Sequence, residues 1–168
     1  MNTEAPTWSA LTSQLLSLVE SRLLDPLEIL LGSEAELEVL RSRIAARTAA
    51  WASQLLADDS EAAARVATRL VSALYPGDAP FDPPAAWWQT PLGQVVALWV
   101  GHPGAEAVSY AVAGAMLGVT RQGVHDLVVR GKLERCESGG VIASSVRNRI
   151  SQRLAAGLRA RREEADRE

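Results

Sequence analysis

Arg121, Gln122, His125 and Asp126 stand at the spacing i, i+1, i+4 and i+5, with Thr120 just before them. On a helix this spacing gathers side chains on one face. The set is rich in hydrogen-bond donors and acceptors. Arg and Gln can each form paired hydrogen bonds to base edges, and Asp can accept from a cytosine amino group. The chemistry open to this cluster is therefore recognition of double-stranded DNA through the major groove. Thr120, Arg121, Gln122, His125 and Asp126 are the candidate base contacts. A second set, Arg130, Lys132, Arg135, Arg147, Arg149 and Arg153, is basic and suited to the DNA backbone. Phosphate contacts supply affinity and salt dependence, while base contacts supply choice.

Such side chains need a rigid mount. Val112, Ala113, Met116 and Leu117 predict a helix that ends at Gly118. A tight turn there needs φ > 0, which glycine adopts without a clash. Val119 is placed to plug the angle between two helices. Thr120 is a good N-cap for the second. Val124, Leu127 and Val128 fall on the inner side of that helix, over residues 120–130. Arg121, Gln122, His125, Asp126 and Arg130 are left facing outward. The arrangement reads as a helix-turn-helix. A plain helical hairpin, with Gly118 only a C-cap, is the alternative.

Gly131 stops the second helix. Leu133 to Cys136 predicts a short strand, Glu137-Ser138-Gly139-Gly140 a turn, and Val141 to Ala143 a returning strand. Ser144 or Ser145 is expected to cap another helix starting at Val146. Helix, turn, helix, hairpin, helix is the layout of a winged helix-turn-helix. The run Ala113, Leu117, Gly118, Val119, Arg121, Val124, Leu127, Gly131 and Leu133 resembles the small winged-helix domains of phage excisionases and mercury-resistance-type regulators. The resemblance covers roughly residues 105–155 and implies DNA binding. Gly114 departs from it, since those families usually carry alanine there; a loosened first helix is the expected consequence.

Charge agrees. The chain of 168 residues has a net charge of −3, but residues 1–104 hold 6 Arg and 12 acids while residues 105–168 hold 11 Lys and Arg and 8 acids. A basic half joined to an acidic half fits a DNA-contacting module beside a module of another kind. Arg159, Arg161 and Arg162 run into the acid-rich stretch EEADRE and read as a solvated tail.

The rest of the chain predicts a mainly α fold: an N-terminal helical bundle followed by the winged unit with its small β-hairpin. Residues 1–75 form the bundle, 76–86 a Pro-rich linker, and 87–168 the DNA-binding domain with a basic C-terminal helix. Trp8, Leu11, Leu15, Leu18, Val19 and Leu23 repeat at helical spacing over residues 7–24. Asp25-Pro26 reads as a fresh helix start, ending at Gly32. Ser33-Glu34-Ala35-Glu36 reads as a capping box opening a helix over 34–57. Asp59 or Ser60 opens a fourth helix, ended by Tyr75-Pro76-Gly77. Three of the five tryptophans lie between Trp87 and Trp99. Indole usually buries, so core and interface are expected there ahead of an aromatic platform for bases or a ligand.

Several classes find little support. Two histidines and one cysteine, with no dense acid cluster around them, predict neither an enzyme nor a metal site, and no cofactor motif is visible. His125 is expected on the exposed face and Cys136 as a small apolar group in the wing. The N-terminus shows no secretory leader pattern, no run is long enough to cross a membrane, and a lone cysteine suits the cytoplasm. The expected function is sequence-specific DNA binding, as in a bacterial, phage or plasmid transcriptional regulator. The N-terminal helices would hold a homodimer or another protein. A non-catalytic protein-interaction adaptor, such as an antitoxin or assembly factor, and an excisionase-like architectural DNA-binding factor stay open.

Overall fold

The computed structural model describes residues 6–32 and 35–165, with side chains described over 6–32 and 37–155. Among the described residues the fold is mainly helical, with a small two-stranded antiparallel sheet. No helix among them is long and apolar enough to cross a membrane.

Helix α1 (Trp8–Val19) opens at Thr7, whose hydroxyl oxygen accepts the Ala10 N–H. Leu11, Leu15 and Val19 recur at i, i+4 and i+8 and are buried. The chain does not restart at Asp25, contrary to the sequence expectation. It passes through one π-helical turn (Glu20–Leu24) straight into α2 (Asp25–Leu31), and Asp25 itself is right-handed helical at φ −60°. Pro26 has no N–H to give and its ring crowds the preceding turn. The wider π turn absorbs this, with the Asp25 N–H reaching back to the Glu20 carbonyl. Gly32, at φ 65°, ends α2.

The expected capping box begins at Ser33 and Glu34, which lie outside the described residues. Helix α3 (Ala35–Leu55) runs back beside α1, with the Trp8 indole N–H donating to the Ser53 hydroxyl at 3.1 Å. Helix α4 (Ser60–Leu74) is capped by Asp59, which accepts from the Ala62 N–H. Val66, Leu70, Val71 and Leu74 bury one face of α4.

The Pro-rich segment after α4 leads into a 3₁₀ turn (Ala85–Gln89) and then α5 (Pro91–Trp99), capped by Thr90. Tyr75, Phe81, Trp87 and Trp88 pack edge to face, and the Trp87 N–H donates to the Tyr75 hydroxyl at 2.8 Å. Trp88 is fully buried, and the Trp99 N–H donates to the Leu55 carbonyl. These rings are core and interface, as their size dictates. Helix α5 is the central element. It packs on α1 and α4 on one side and on α6 and α8 on the other, inside one continuous hydrophobic cluster.

The C-terminal part comprises β1 (Ala107–Val108), α6 (Tyr110–Leu117), α7 (Arg121–Val129), β2 (Val141–Ile142) and α8 (Ala143–Ala165). Two sequence expectations need correction. First, β2 pairs regularly with β1, with Ala107 opposite Ile142 and Val108 opposite Val141. The stretch Leu133 to Cys136 forms no regular strand. It meets the other edge of β2 through one bridge, Arg135 to Val141, and through bonds from the Cys136 N–H to Gly140 and from the Ile142 N–H to Glu134. β1 is only two residues long, too short for any periodicity to announce it. Second, neither Ser144 nor Ser145 caps α8. The helix already begins at Ala143, whose N–H is taken by the Glu106 carbonyl. The buried Ser145 hydroxyl instead accepts from the Glu134 N–H and donates to the Ile142 carbonyl. It pins the 133–136 segment to the helix.

Candidate nucleic-acid interface

Ser109 opens α6 by accepting the Val112 N–H at 3.2 Å. Ala113, Gly114, Ala115, Met116 and Leu117 are all buried, so this short helix is enclosed almost all round. It stops at Gly118, at φ 66° and ψ 33°. The Val119 N–H then returns to the Gly114 carbonyl at 2.9 Å. Thr120 turns the chain into α7, its hydroxyl oxygen accepting the Gly123 N–H at 3.1 Å. Val124 is fully buried against this corner.

Gly114 has a different role from the one the sequence predicts. A Cβ there would stand 2.8 Å from the Val119 carbonyl oxygen and 3.6 Å from Val124. The missing side chain is what lets the turn and α7 close onto α6. The glycine marks tight packing, not a loosened helix.

Arg121, Gln122, His125, Asp126 and Arg130 all point to solvent, with Thr120 exposed at their head. They form one face of α7. The Gln122 amide donates to the Asp126 carboxylate at 3.1 Å, so the two side chains steady each other along the helix. The His125 ring stands edge-on to Tyr110, 6.5 Å between centroids, which ties the face to the start of α6. Val129 extends the same face by one turn and is 72% exposed. Sequence reasoning passed over both Tyr110 and Val129. The step of four from His125 to Val129 was the signal for the latter.

The basic set is divided. Arg130, Lys132 and Arg135 are exposed at and beyond the C-terminal end of α7. Arg153 donates to the Leu117 carbonyl at 2.7 Å, at the last turn of α6. It clamps α8 to the corner, and a cation at a helix C-terminus is favourable. Arg149 is half-buried and its Nε finds no partner. Arg147 lies about 200° around α8 from Arg149 at the ordinary helical pitch. Its stem packs over Gly101, and it lines a cavity of about 440 Å³ with His102, Glu106 and Cys136. The structure therefore groups Thr120 to Arg130, with Arg153 anchored beside the turn, and sets Arg147 apart.

His102 sits under this cavity against the Trp88 ring, 5.1 Å between centroids. Its Nδ1 accepts the Gly104 N–H, and its Nε2 is 3.7 Å from the Asp82 carboxylate. Burial lowers its pKa from the usual 6.5, against the opposing pull of Asp82.

No family model, no curated protein and no solved structure matches the chain.

Proposed function

We propose that residues 105–155 form a winged helix-turn-helix unit that reads double-stranded DNA with α7, and that the chain is a sequence-specific DNA-binding regulator. One observation carries the reading. The sharp α6–Gly118–α7 corner fills the inner side of α7 with Val124, while five polar side chains crowd its outer side. A polar outer face is common to any surface helix; what favours recognition here is that the first two turns of α7 carry Arg121, Gln122 and Asp126, side chains able to pair with base edges. The stretch between α7 and β2, folded back by the Ser145 hydroxyl and the Arg135 bridge, supports a wing. Lys132 and Arg135 project from it as backbone contacts. The residue types along α7 lead to base preferences: Arg121 for guanine and Asp126 for a cytosine amino group.

The test is fluorescence anisotropy on duplexes enriched from a random pool, across a salt series. A steep salt slope and one enriched sequence are expected. Arg121→Ala should weaken the enriched site by roughly 1–3 kcal/mol and random DNA much less. Equal losses on both would reduce Arg121 to a phosphate contact. Absence of binding at low salt would overturn the reading in favour of a protein-interaction adaptor. A steep slope without enrichment would favour an architectural factor.

A further inference from the structure

Helix α2 buries none of its residues, although four of its seven are Leu or Ile. It continues α1 past the π turn. Leu27, Leu30 and Leu31 stand at i, i+3 and i+4, the spacing of an apolar helix stripe. Ile29 and Leu30 are 82% and 81% exposed, and Leu31 is more than half exposed. Across the Glu28–Arg41 ion pair, at 2.5 Å, the start of α3 adds Val39 and Leu40, also exposed.

We infer that this tip of α2 and α3 is the contact surface for a second copy of the chain. Six large apolar side chains at these exposures leave on the order of 500 Å² of apolar surface uncovered, near the upper end of what monomers carry. A standard interface takes roughly 800 Å² from each partner, so the apolar patch would supply more than half of it and the polar rim the remainder. Glu28 and Arg41 pair within the chain, and the exposed rim around them carries both signs in Asp25, Glu38 and Arg43. Such a rim suits a two-fold contact, in which the same patch meets itself and Asp25 or Glu38 can face the copy's Arg43. An anionic membrane surface would need a basic excess, which the tip lacks. The stripe is short, so the pairing is a helix-to-helix crossing centred on Leu27, Leu30 and Leu31.

The inference stands apart from the DNA reading and is tested without DNA. Sedimentation velocity of the full chain over a wide concentration range should show a monomer–dimer equilibrium. The double variant Leu30→Glu/Leu31→Glu should shift the midpoint at least tenfold toward monomer. Its circular dichroism and melting temperature should match the parent, because both side chains already face solvent. In a Cys136→Ser background, Leu30→Cys should form a cross-linked dimer on mild oxidation, whereas Ala46→Cys, exposed farther along α3, should not. A chain that is monomeric at every concentration would overturn the inference. A dimer unaffected by the double variant would overturn it too, as would a monomer that binds vesicles through the same side chains.

Discussion

The α2–α3 tip and the outer face of α7 are both exposed helix surfaces, and they are opposites in chemistry. The tip shows Leu27, Ile29, Leu30, Leu31, Val39 and Leu40 to water. The α7 face shows Arg121, Gln122, His125, Asp126 and Arg130, with Val129 the single large apolar exception. The inner sides differ as well. Helix α2 buries none of its residues and meets α3 through the Glu28–Arg41 ion pair, whereas α7 is seated by Val124 in a corner closed by Gly114, Gly118 and Thr120. Apolar surface gains by leaving water whatever the detailed geometry of the partner. Hydrogen-bonding surface gains only when each group meets its complement at the right place. The apolar tip and the polar face seated in a closed corner therefore differ in what each would gain from a partner.

The strongest way to break the comparison is at the element that joins the two regions. A Cβ on Gly93 would lie 2.2 Å from the Trp87 carbonyl oxygen and 2.8 Å from the Trp88 Cα, both backbone atoms that cannot step aside. Gly93→Ala should destabilise by about 3 kcal/mol or more. For a chain of this size that is a fall of roughly 6–12 °C in melting temperature. Calorimetry should show one cooperative transition moving as a whole, because α5 packs on both sides. Two separate transitions, with only one displaced, would show that the regions fold independently.

A smaller effect sharpens the comparison at the corner itself. Helix propensity alone favours alanine over glycine by about 1 kcal/mol. The 2.8 Å approach to the Val119 carbonyl opposes this at Gly114. Gly114→Ala is therefore expected to destabilise by about 1–2 kcal/mol net and to weaken binding to the enriched duplex, without altering self-association. A stabilised variant, seen in chemical denaturation, would mean that the corner has room to spare.

The smallest expected effect concerns His102, between the Pro-rich segment and the loop before β1. Its pKa is lowered in the fold, so the unfolded chain takes up the proton first as pH falls. Stability is therefore full above about pH 6.5 and declines as pH drops below that value toward the lowered folded pKa. Melting temperatures measured from pH 7.5 to 5 should fall, and His102→Gln should flatten the part of that slope due to this residue. An unchanged slope would show that Asp82 holds the histidine well enough to offset its burial.

Much of the C-terminal unit was legible because its signals are local. Thr120 caps where its hydroxyl has a helix to cap, and Gly118 stops α6 because of its φ. Outward and inward positions on α7 follow from helical period alone. The α4 cap at Asp59 was legible for the same reason. Several of the differences involve partners distant in the chain. Ser145 looked like a cap, yet its hydroxyl is claimed by Glu134, eleven residues upstream. Arg153, expected as a phosphate contact, also donates to a carbonyl of α6, thirty-six residues away. The Asp25-Pro26 restart was not legible locally, because one π turn carries the helix through with the Asp25 N–H bonded to the Glu20 carbonyl.

By itself the sequence determined the mainly helical class, the places where most helices begin and end, and the polar face of α7, since these follow from backbone angles, caps and the 3.6-residue period. Tertiary structure alone decided that β1 rather than the 133–136 stretch is the regular partner of β2. It also decided that Gly93 and Gly114 are contact points and that α2 is left uncovered. Each of these depends on which surfaces meet, and burial is a property of pairs of elements that no single segment carries.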